Sequence, residues 1–166
     1  MGKILILSAA VAMMSALSAC NTSSCIENQS SLPMAGLYAA GSGSSISVTS
    51  MEVGGVGAPG DSLLYTGNTA VSSLYLPFRS AERSTSFYFL YLGDNAPQPD
   101  TITFDYDSTP YFVSEECGAM FNYVITGVEY TRHAIDSVAV TDSIVNNLDL
   151  ERIKIFMRVN EEEEEE

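Results

Sequence analysis

The stretch that decides the fold class is Asp100-Thr101-Ile102-Thr103-Phe104-Asp105-Tyr106-Asp107. Apolar and polar residues alternate through it, which places Ile102, Phe104 and Tyr106 on one face of an extended chain. Successive side chains of a β-strand point to opposite faces of the sheet, so this spacing predicts a strand with one buried face. Asp105 and Asp107 then share the other face, which we expect to be solvated.

The same pattern continues on both sides of this stretch. Near the end of the chain, Ile153, Ile155 and Met157 alternate with basic residues, which predicts another half-buried strand. Val, Ile, Thr, Tyr and Phe, which suit a pleated surface, are frequent in the remaining candidates. These candidates are Gly36–Ala40, Ser45–Val53, Ser62–Tyr65, Val71–Leu76, Thr85–Leu92, Ala119–Tyr130 and Ser137–Val140.

Turn clusters rich in Gly and Pro separate these strands, for example Gly54–Gly60 and Ala96–Pro99. Short strands at close spacing between such turns are typical of an antiparallel sandwich or barrel. We predict an all-β fold, an antiparallel β-sandwich of immunoglobulin-like architecture, with a small β-barrel as the alternative. The chain has no Trp, so the buried Trp of true immunoglobulin domains is missing and the likeness is one of architecture only.

Residues 1–19 have the pattern of a bacterial lipoprotein signal peptide. Lys3 gives a short positive start, an apolar stretch follows, and small residues precede Cys20. The run Leu17-Ser18-Ala19-Cys20 resembles the lipobox, in which the cysteine thiol carries a diacylglycerol. A transmembrane span would need roughly 20 predominantly apolar residues, and this stretch is shorter and broken by serines. We therefore predict lipidation at Cys20 and anchoring of the chain to a membrane through lipid.

The rest of the chain divides into three parts on composition. We predict a lipidated N-terminus and tether at 20–34, a single β domain at 35–159 and a disordered acidic tail at 160–166, because a run of like charges repels itself. In some bacteria, lipoproteins exported to the cell surface carry a short acidic stretch directly after the lipidated cysteine. Here no acidic residue follows Cys20 until Glu27, so we expect an outer-membrane location facing the periplasm. The formal charge of −14 argues against nucleic acid as a partner, since its binding needs clustered Lys and Arg.

With Cys20 lipidated, Cys25 and Cys117 remain. In an oxidising compartment such a pair indicates a disulfide, which would close a long loop and stabilise the fold by about 4–5 kcal/mol. Two unpaired thiols are the alternative, with Cys25 close to the lipid tether.

His133 is the only histidine, which rules out a zinc site built on several histidines within one chain. Asp136 could orient its ring in a Ser-His-Asp arrangement, but the Gly-x-Ser-x-Gly elbow is missing. We interpret His133 as structural or surface-exposed and predict no catalytic residue.

Acidic residues could bind calcium or catalyse glycoside hydrolysis. Asp94, Asp100, Asp105 and Asp107 form the densest acidic stretch, but their spacing does not match an EF-hand loop. A pair of carboxylates such as Glu115 and Glu116 could flank a glycosidic bond, although sequence spacing fixes no separation between them. We predict no metal site and no cofactor.

Several segments resemble a family of uncharacterised lipoproteins of the Bacteroidota with a β-rich body. The resemblance spans most of the mature chain, and its most specific elements are Cys117-Gly118 and the later His-x-Ile-Asp-Ser run from His133 to Ser137. The similar segments are Gly55–Gly57, Asp61–Tyr65, Val71–Pro77, Asp100–Phe104, Pro110–Gly118, Tyr130–Val138 and Ile153–Phe156. The family has no assigned activity, so the resemblance implies no functional residues.

These observations predict a non-catalytic cell-envelope lipoprotein that serves as a binding or structural module for a protein or a glycan. The aromatic residues are expected mainly in the core, with an exposed subset available for stacking on sugars or for protein contact. A glycan hydrolase that uses carboxylates and a ligand-carrying β-barrel are the alternatives.

Overall fold

The computed structural model describes residues 31–115 and 118–158. Ten strands make up nearly all of its regular structure, together with one short 3-10 turn at Pro59–Asp61. The strands are β1 Met34–Ala39, β2 Met51–Gly55, β3 Leu63–Thr66, β4 Ser73–Tyr75, β5 Ser84–Tyr91, β6 Asp100–Ser114, β7 Gly118–Tyr130, β8 Ile135–Val140, β9 Ile144–Val145 and β10 Glu151–Met157. The all-β prediction is confirmed, and the architecture is consistent with a β-sandwich or a small barrel.

The smaller sheet has four strands in the order β4-β1-β10-β8. The first strand β1 lies in its middle and pairs in parallel with the last strand β10, with Leu37 opposite Ile155. The pairs β1–β4 and β10–β8 are antiparallel. The predicted antiparallel arrangement is therefore interrupted by one parallel pair.

The larger sheet has six strands in the order β3-β2-β5-β6-β7-β9, and all of its pairs are antiparallel. This sheet curls into a half-barrel. The longest pairing joins β6 to β7 from Ile102 opposite Tyr130 to Ser114 opposite Gly118. A β-bulge beside Asp105 and Tyr106 interrupts this register, as bulges commonly do where a long ribbon bends.

The core lies between the two sheets and follows the alternation of the sequence. Ile102, Phe104 and Tyr106 are at most 1 % exposed, as the opening stretch predicted. The ring of Phe78 stacks on Tyr106 with a centroid distance of 4.4 Å and meets the edge of Tyr123 at 5.5 Å. This aromatic group closes the core at the end of the sandwich where β6 and β7 continue outward.

One predicted strand begins later than expected, and two strand features were not predicted. The strand predicted at Ser45–Val53 begins only at Met51, because Ser50 has a φ of 56°, outside the extended region. Strand β6 continues through Pro110 to Ser114; Pro is tolerated there because β5 pairs with β6 only from Asp100 to Asp105. The two-residue strand Ile144–Val145 is too short to leave a pattern in the sequence.

Several sequence predictions concern residues that the structure does not describe. Cys20, Cys25 and Cys117 lie outside the described residues, as do the signal peptide at 1–19 and the acidic tail at 160–166. Lipidation, the disulfide and the limits of the β domain at 35–159 therefore stay predictions.

Candidate functional site

One end of the sandwich is organised around a buried carboxylate. Asp100 is the first residue of β6 and is 0 % exposed. It has the same parity as Ile102 and Phe104, so the alternation of the strand turns its side chain inward rather than toward solvent. The carboxylate lies under the segment that links β7 to β8.

The oxygens of Asp100 accept hydrogen bonds from that segment. The backbone amides of His133, Ala134 and Ile135 donate to them at 2.8, 2.8 and 2.9 Å. The hydroxyl groups of Thr131 and Tyr91 add bonds at 2.7 and 3.0 Å. A buried charge is stable only when it is hydrogen-bonded, and here the carboxylate holds the connection in place.

These contacts change the acidity of two groups. Burial by itself raises the pKa of Asp100, but the backbone hydrogen bonds from His133 and Ile135, the side-chain hydrogen bond from Thr131 and the backbone hydrogen bond from Ala134 outweigh it and lower the pKa below its usual value. For Tyr91, burial and the nearby charge of Asp100 both raise the pKa of the phenol. At neutral pH the pair is therefore a carboxylate that accepts a bond from a neutral phenol.

His133 belongs to this end, but its partner is different from the one considered in the sequence. Its Nδ1 atom donates to the carbonyl oxygen of Pro99 at 3.0 Å and lies 3.2 Å from Asp100 Oδ1. Asp136, the residue that could have oriented the ring, instead lies 3.4 Å from Arg158. The guanidinium of Arg158 also donates to the carbonyl oxygen of His133 at 3.2 Å. These contacts fix His133 as part of the connection that Asp100 organises.

The other acids of the dense stretch are separated from Asp100. Asp94, Asp105 and Asp107 are exposed, and the prediction that Asp105 and Asp107 share a solvated face is confirmed. Among residues 31–115 and 118–158, no group of three or more His, Cys, Asp or Glu side chains could hold a metal ion. Glu115 is exposed at the far end of β6, and Glu116 lies outside the described residues.

The opposite end of the sandwich carries a projecting two-stranded ribbon, which we call the arm. It consists of residues 109–114 of β6 and 118–122 of β7. Strand β5 pairs with β6 only as far as Asp105, and β9 pairs with β7 only at Tyr123 and Val124. Among the described strands, the arm therefore has no neighbour on either edge.

Exposed aromatic side chains stand on the β6 strand of the arm. Tyr111 is 51 % exposed and Phe112 is 65 % exposed, and as successive strand residues they point to opposite sides of the ribbon. Exposed acids, Asp107 and Glu115, lie before and after them on the chain. This pair was not predicted as a site, although the apolar run Pro110-Tyr111-Phe112-Val113 beyond the alternating stretch was a signal for it.

The base of the arm is rigidly held. The hydroxyl of Tyr106 donates to the carbonyl oxygen of Arg79 at 2.8 Å, and the hydroxyl of Ser108 donates to that of Ser80 at 3.0 Å. Thr85 Oγ1 lies 2.7 Å from the Tyr106 hydroxyl in the core. The arm therefore projects from a fixed point.

An open groove of about 460 Å³ lies where β7 approaches β8. It is lined by Ile125, Thr126, Gly127, Val128, Val140, Thr141 and Ser143. The mixture of small polar and aliphatic groups, and the absence of a titratable side chain among them, give it no evident chemistry. Within the described part of the chain, none of the helical segments has the length and apolar character of a membrane span.

The domain is therefore a small β-sandwich. At one end, the buried Asp100 carboxylate is hydrogen-bonded within the protein; at the other end, an arm with exposed aromatic side chains projects. The chain belongs to the DUF6452 family, described as a family of unknown function, whose model matches residues 46–157. That match includes the Asp100 connection and the whole arm. No curated protein and no solved structure matches the chain significantly.

Proposed function

We propose that this protein is a non-catalytic cell-envelope lipoprotein that binds another envelope protein through the β6 strand of the arm. The observation that carries the proposal is the pair Tyr111 and Phe112, 51 % and 65 % exposed on a ribbon with a free edge. Exposed aromatic residues are enriched where proteins bind one another, because each buries a large area at a small cost in conformational freedom.

The charge of the arm defines the partner more closely. Exposed Asp107 and Glu115 flank the aromatic pair, and the whole chain carries a formal charge of −14. A matching surface would have an apolar groove bordered by Lys or Arg side chains, since complementary charges speed association and fix orientation. The partner is therefore expected to be a protein with a basic rim around an apolar groove.

A double variant, Tyr111→Ser with Phe112→Ser, tests this proposal. Lipidated protein would be used as bait in detergent-solubilised envelopes, and any protein recovered would be purified and its Kd measured. The control is Leu148→Ser with Leu150→Ser, which removes two side chains of similar exposure, 55 % and 52 %, from a loop outside the arm. We expect the double variant to weaken binding at least tenfold and the control to leave it unchanged. Equal binding by all three proteins would overturn the proposal.

Anchoring and the disulfide are part of the same proposal and have their own tests. Lipid at Cys20 would hold the chain on the outer membrane facing the periplasm. The Cys20→Ser variant should therefore appear in the soluble fraction when cells are fractionated. A bond between Cys25 and Cys117 forms when the two thiols lose two protons and two electrons to a disulfide oxidant of the envelope. Titration of unreduced, unfolded protein should then find no free thiol at these positions.

A glycan partner is favoured by one separate observation. The ring of Tyr88 lies flat over Gly54, so that a Cβ atom built on Gly54 would be 2.6 Å from Tyr88 Cζ. The hydroxyls of Ser86 and Thr103 meet at 2.7 Å beside it. A flat aromatic ring next to hydroxyl groups suits a sugar ring. Glycan binding that is lost in Tyr88→Ala and retained in the arm double variant would favour this second function.

A further inference from the structure

The two strands of the arm differ in exposure, although they are paired residue by residue. Tyr111 is 51 % exposed, but Met120 directly opposite it is 4 % exposed. The pair of Thr109 and Asn122 shows the same difference, since Thr109 is exposed and Asn122 is half-buried. Phe121, on the other side of the ribbon, is half-buried because it packs against the core. Members of one cross-strand pair lie on the same side of the ribbon, so a cover on one side cannot explain the difference. A cover along the edge of β7 would account for the burial of Met120 and Asn122.

The residues under this cover are unlike core residues. Met120 is buried but does not belong to the hydrophobic cluster between the sheets. The side-chain oxygen of Asn122 is also buried, and it accepts no hydrogen bond from the described residues. A buried acceptor without a donor costs about 1–3 kcal/mol, so whatever lies on this edge is expected to bring a donor.

The edge itself is suited to another strand. Strand β9 pairs with β7 at Tyr123 and Val124 and then ends, which leaves Gly118–Asn122 in line with it and without a described neighbour. Unpaired amides and carbonyls along such an edge are a template for an added strand. An isolated two-stranded ribbon is only marginally stable, so a third strand would also stabilise the arm.

The described chain begins at the same end of the molecule. Strand β6 starts at Asp100 and runs toward the arm, while β10 ends beside the Asp100 connection, where Arg158 N–H donates to Ala134 O at 2.8 Å. Because β1 runs parallel to β10, it starts at the arm end. Ser31, just before β1, is 1 % exposed and has a φ of 46°, so the chain bends sharply there.

The preceding chain is long enough to reach the edge. The connection from Val145 in the larger sheet to Glu151 beside β1 crosses the same end of the sandwich with five residues, 146–150. Residues 21–30 span about 33 Å when extended, enough for a similar crossing and several residues of pairing. Among them, Ile26 is the aliphatic residue that could pack on Met120.

We propose that residues 21–30 add a strand to the edge of β7 at Gly118–Asn122 and donate a hydrogen bond to Asn122. The β7 edge of the arm is thus occupied by the chain's own N-terminal segment, while the β6 edge with Tyr111 and Phe112 stays free. This inference does not depend on the proposed partner. It assigns the segment nearest the anchor to the arm rather than to a free tether.

Hydrogen exchange tests this in the full mature chain in detergent micelles, where amides of Gly118–Asn122 that point away from β6 report on the edge. Two variants disrupt the added strand independently: Ile26→Asp removes the apolar contact, and Asn28→Pro removes a donor and restricts the backbone. The control Leu92→Asp introduces the same charge at an exposed residue, 45 % accessible, outside the arm.

We expect both variants to speed exchange of these amides at least tenfold and the control to leave it unchanged. Exchange that is already fast in the unmodified chain would show an open edge and overturn the proposal. Slow exchange that neither variant alters would show that something other than residues 21–30 covers the β7 edge, and it would also overturn the proposal. Neither result would bear on partner binding through Tyr111 and Phe112, which is measured by its own Kd.

Discussion

The two ends of the sandwich treat polar and apolar groups in opposite ways. At the Asp100 end a buried charge is satisfied by three backbone amides and two hydroxyls, so its polar groups are used internally. At the arm end, two large aromatic side chains are exposed and strand edges extend past their neighbours. A polar group buried with its partners stabilises the fold, whereas an apolar group left exposed adds little stability and is available for contact. The contrast separates the end that holds the domain together from the end that can act on something else.

The largest effect is expected from Asp100→Ala. The change removes the acceptor of the amides of His133, Ala134 and Ile135, of which the first two are partly buried and the third is buried. A buried donor without an acceptor costs about 1–3 kcal/mol, and the loss of a buried, hydrogen-bonded charge disrupts the whole network. We expect the free energy of unfolding to fall by at least about 4 kcal/mol, measured by urea denaturation. The matched control Asp136→Ala removes an exposed acid paired with Arg158 and should cost less than about 1 kcal/mol. Similar losses of unfolding free energy in both variants would show that the hydrogen bonds to Asp100 do not hold this end of the domain together.

Phe78→Ala should have the next largest effect. Phe78 is 8 % exposed and stacks on Tyr106 at the base of the arm. Replacing a buried Phe by Ala costs about 3 kcal/mol or more, because the contacts are lost and a cavity is left. We expect this loss in urea denaturation, together with faster hydrogen exchange in the arm than in β8. Exchange that rises equally in both strands would show that Phe78 supports the whole domain rather than the arm base.

The pH dependence of stability should show how much the ionised Asp100 contributes to the stability of its end of the sandwich. The pKa of Asp100 is lower in the folded state than in the unfolded chain, so its contribution is complete above the unfolded pKa near 4 and is lost as pH falls through the folded value. The difference in unfolding free energy between the wild type and Asp100→Asn should therefore be larger at pH 7 than at pH 3. A difference that does not change with pH would show that the charge of Asp100 contributes nothing to stability.

The smallest effect is expected from Tyr111→Ala. The ring is 51 % exposed at the far end of the arm, and surface substitutions usually change stability by about 0.5 kcal/mol or less. Urea denaturation should show a change of this size. A loss of about 2 kcal/mol or more, typical of a buried side chain, would mean that Tyr111 packs within the domain, which would argue against its role in binding.

The sequence predicted the fold class well because alternation is a local signal. Ile102, Phe104 and Tyr106 are buried where the alternation placed them, and Asp105 and Asp107 are exposed on the other face. The parallel pairing of β1 with β10 could not be predicted, because the register between strands so far apart leaves no local pattern.

The sequence predicts only part of the role of Asp100. Its parity with Ile102 and Phe104 indicates an inward side chain, but its hydrogen-bond donors come from His133, Ala134 and Ile135, more than thirty residues away. Grouping it with Asp94, Asp105 and Asp107 as one acidic stretch hid this difference. The arm was not predicted either, because Pro110 interrupts the alternation. The exposure of the arm also depends on where β5 and β9 end, which is not a local property of the sequence of β6.

The central position of β1 also affects how the domain can form. β1 is synthesised before every other strand that the structure describes, yet one of its two neighbours is β10, the last of them. The smaller sheet therefore cannot be completed until nearly the whole chain has emerged, and pairing of strands so distant in sequence slows folding. In the meantime, the apolar residues of β1 and β4 have no finished sheet in which to be buried. A newly made chain of this kind would depend on protection from aggregation until its C-terminal strand arrives.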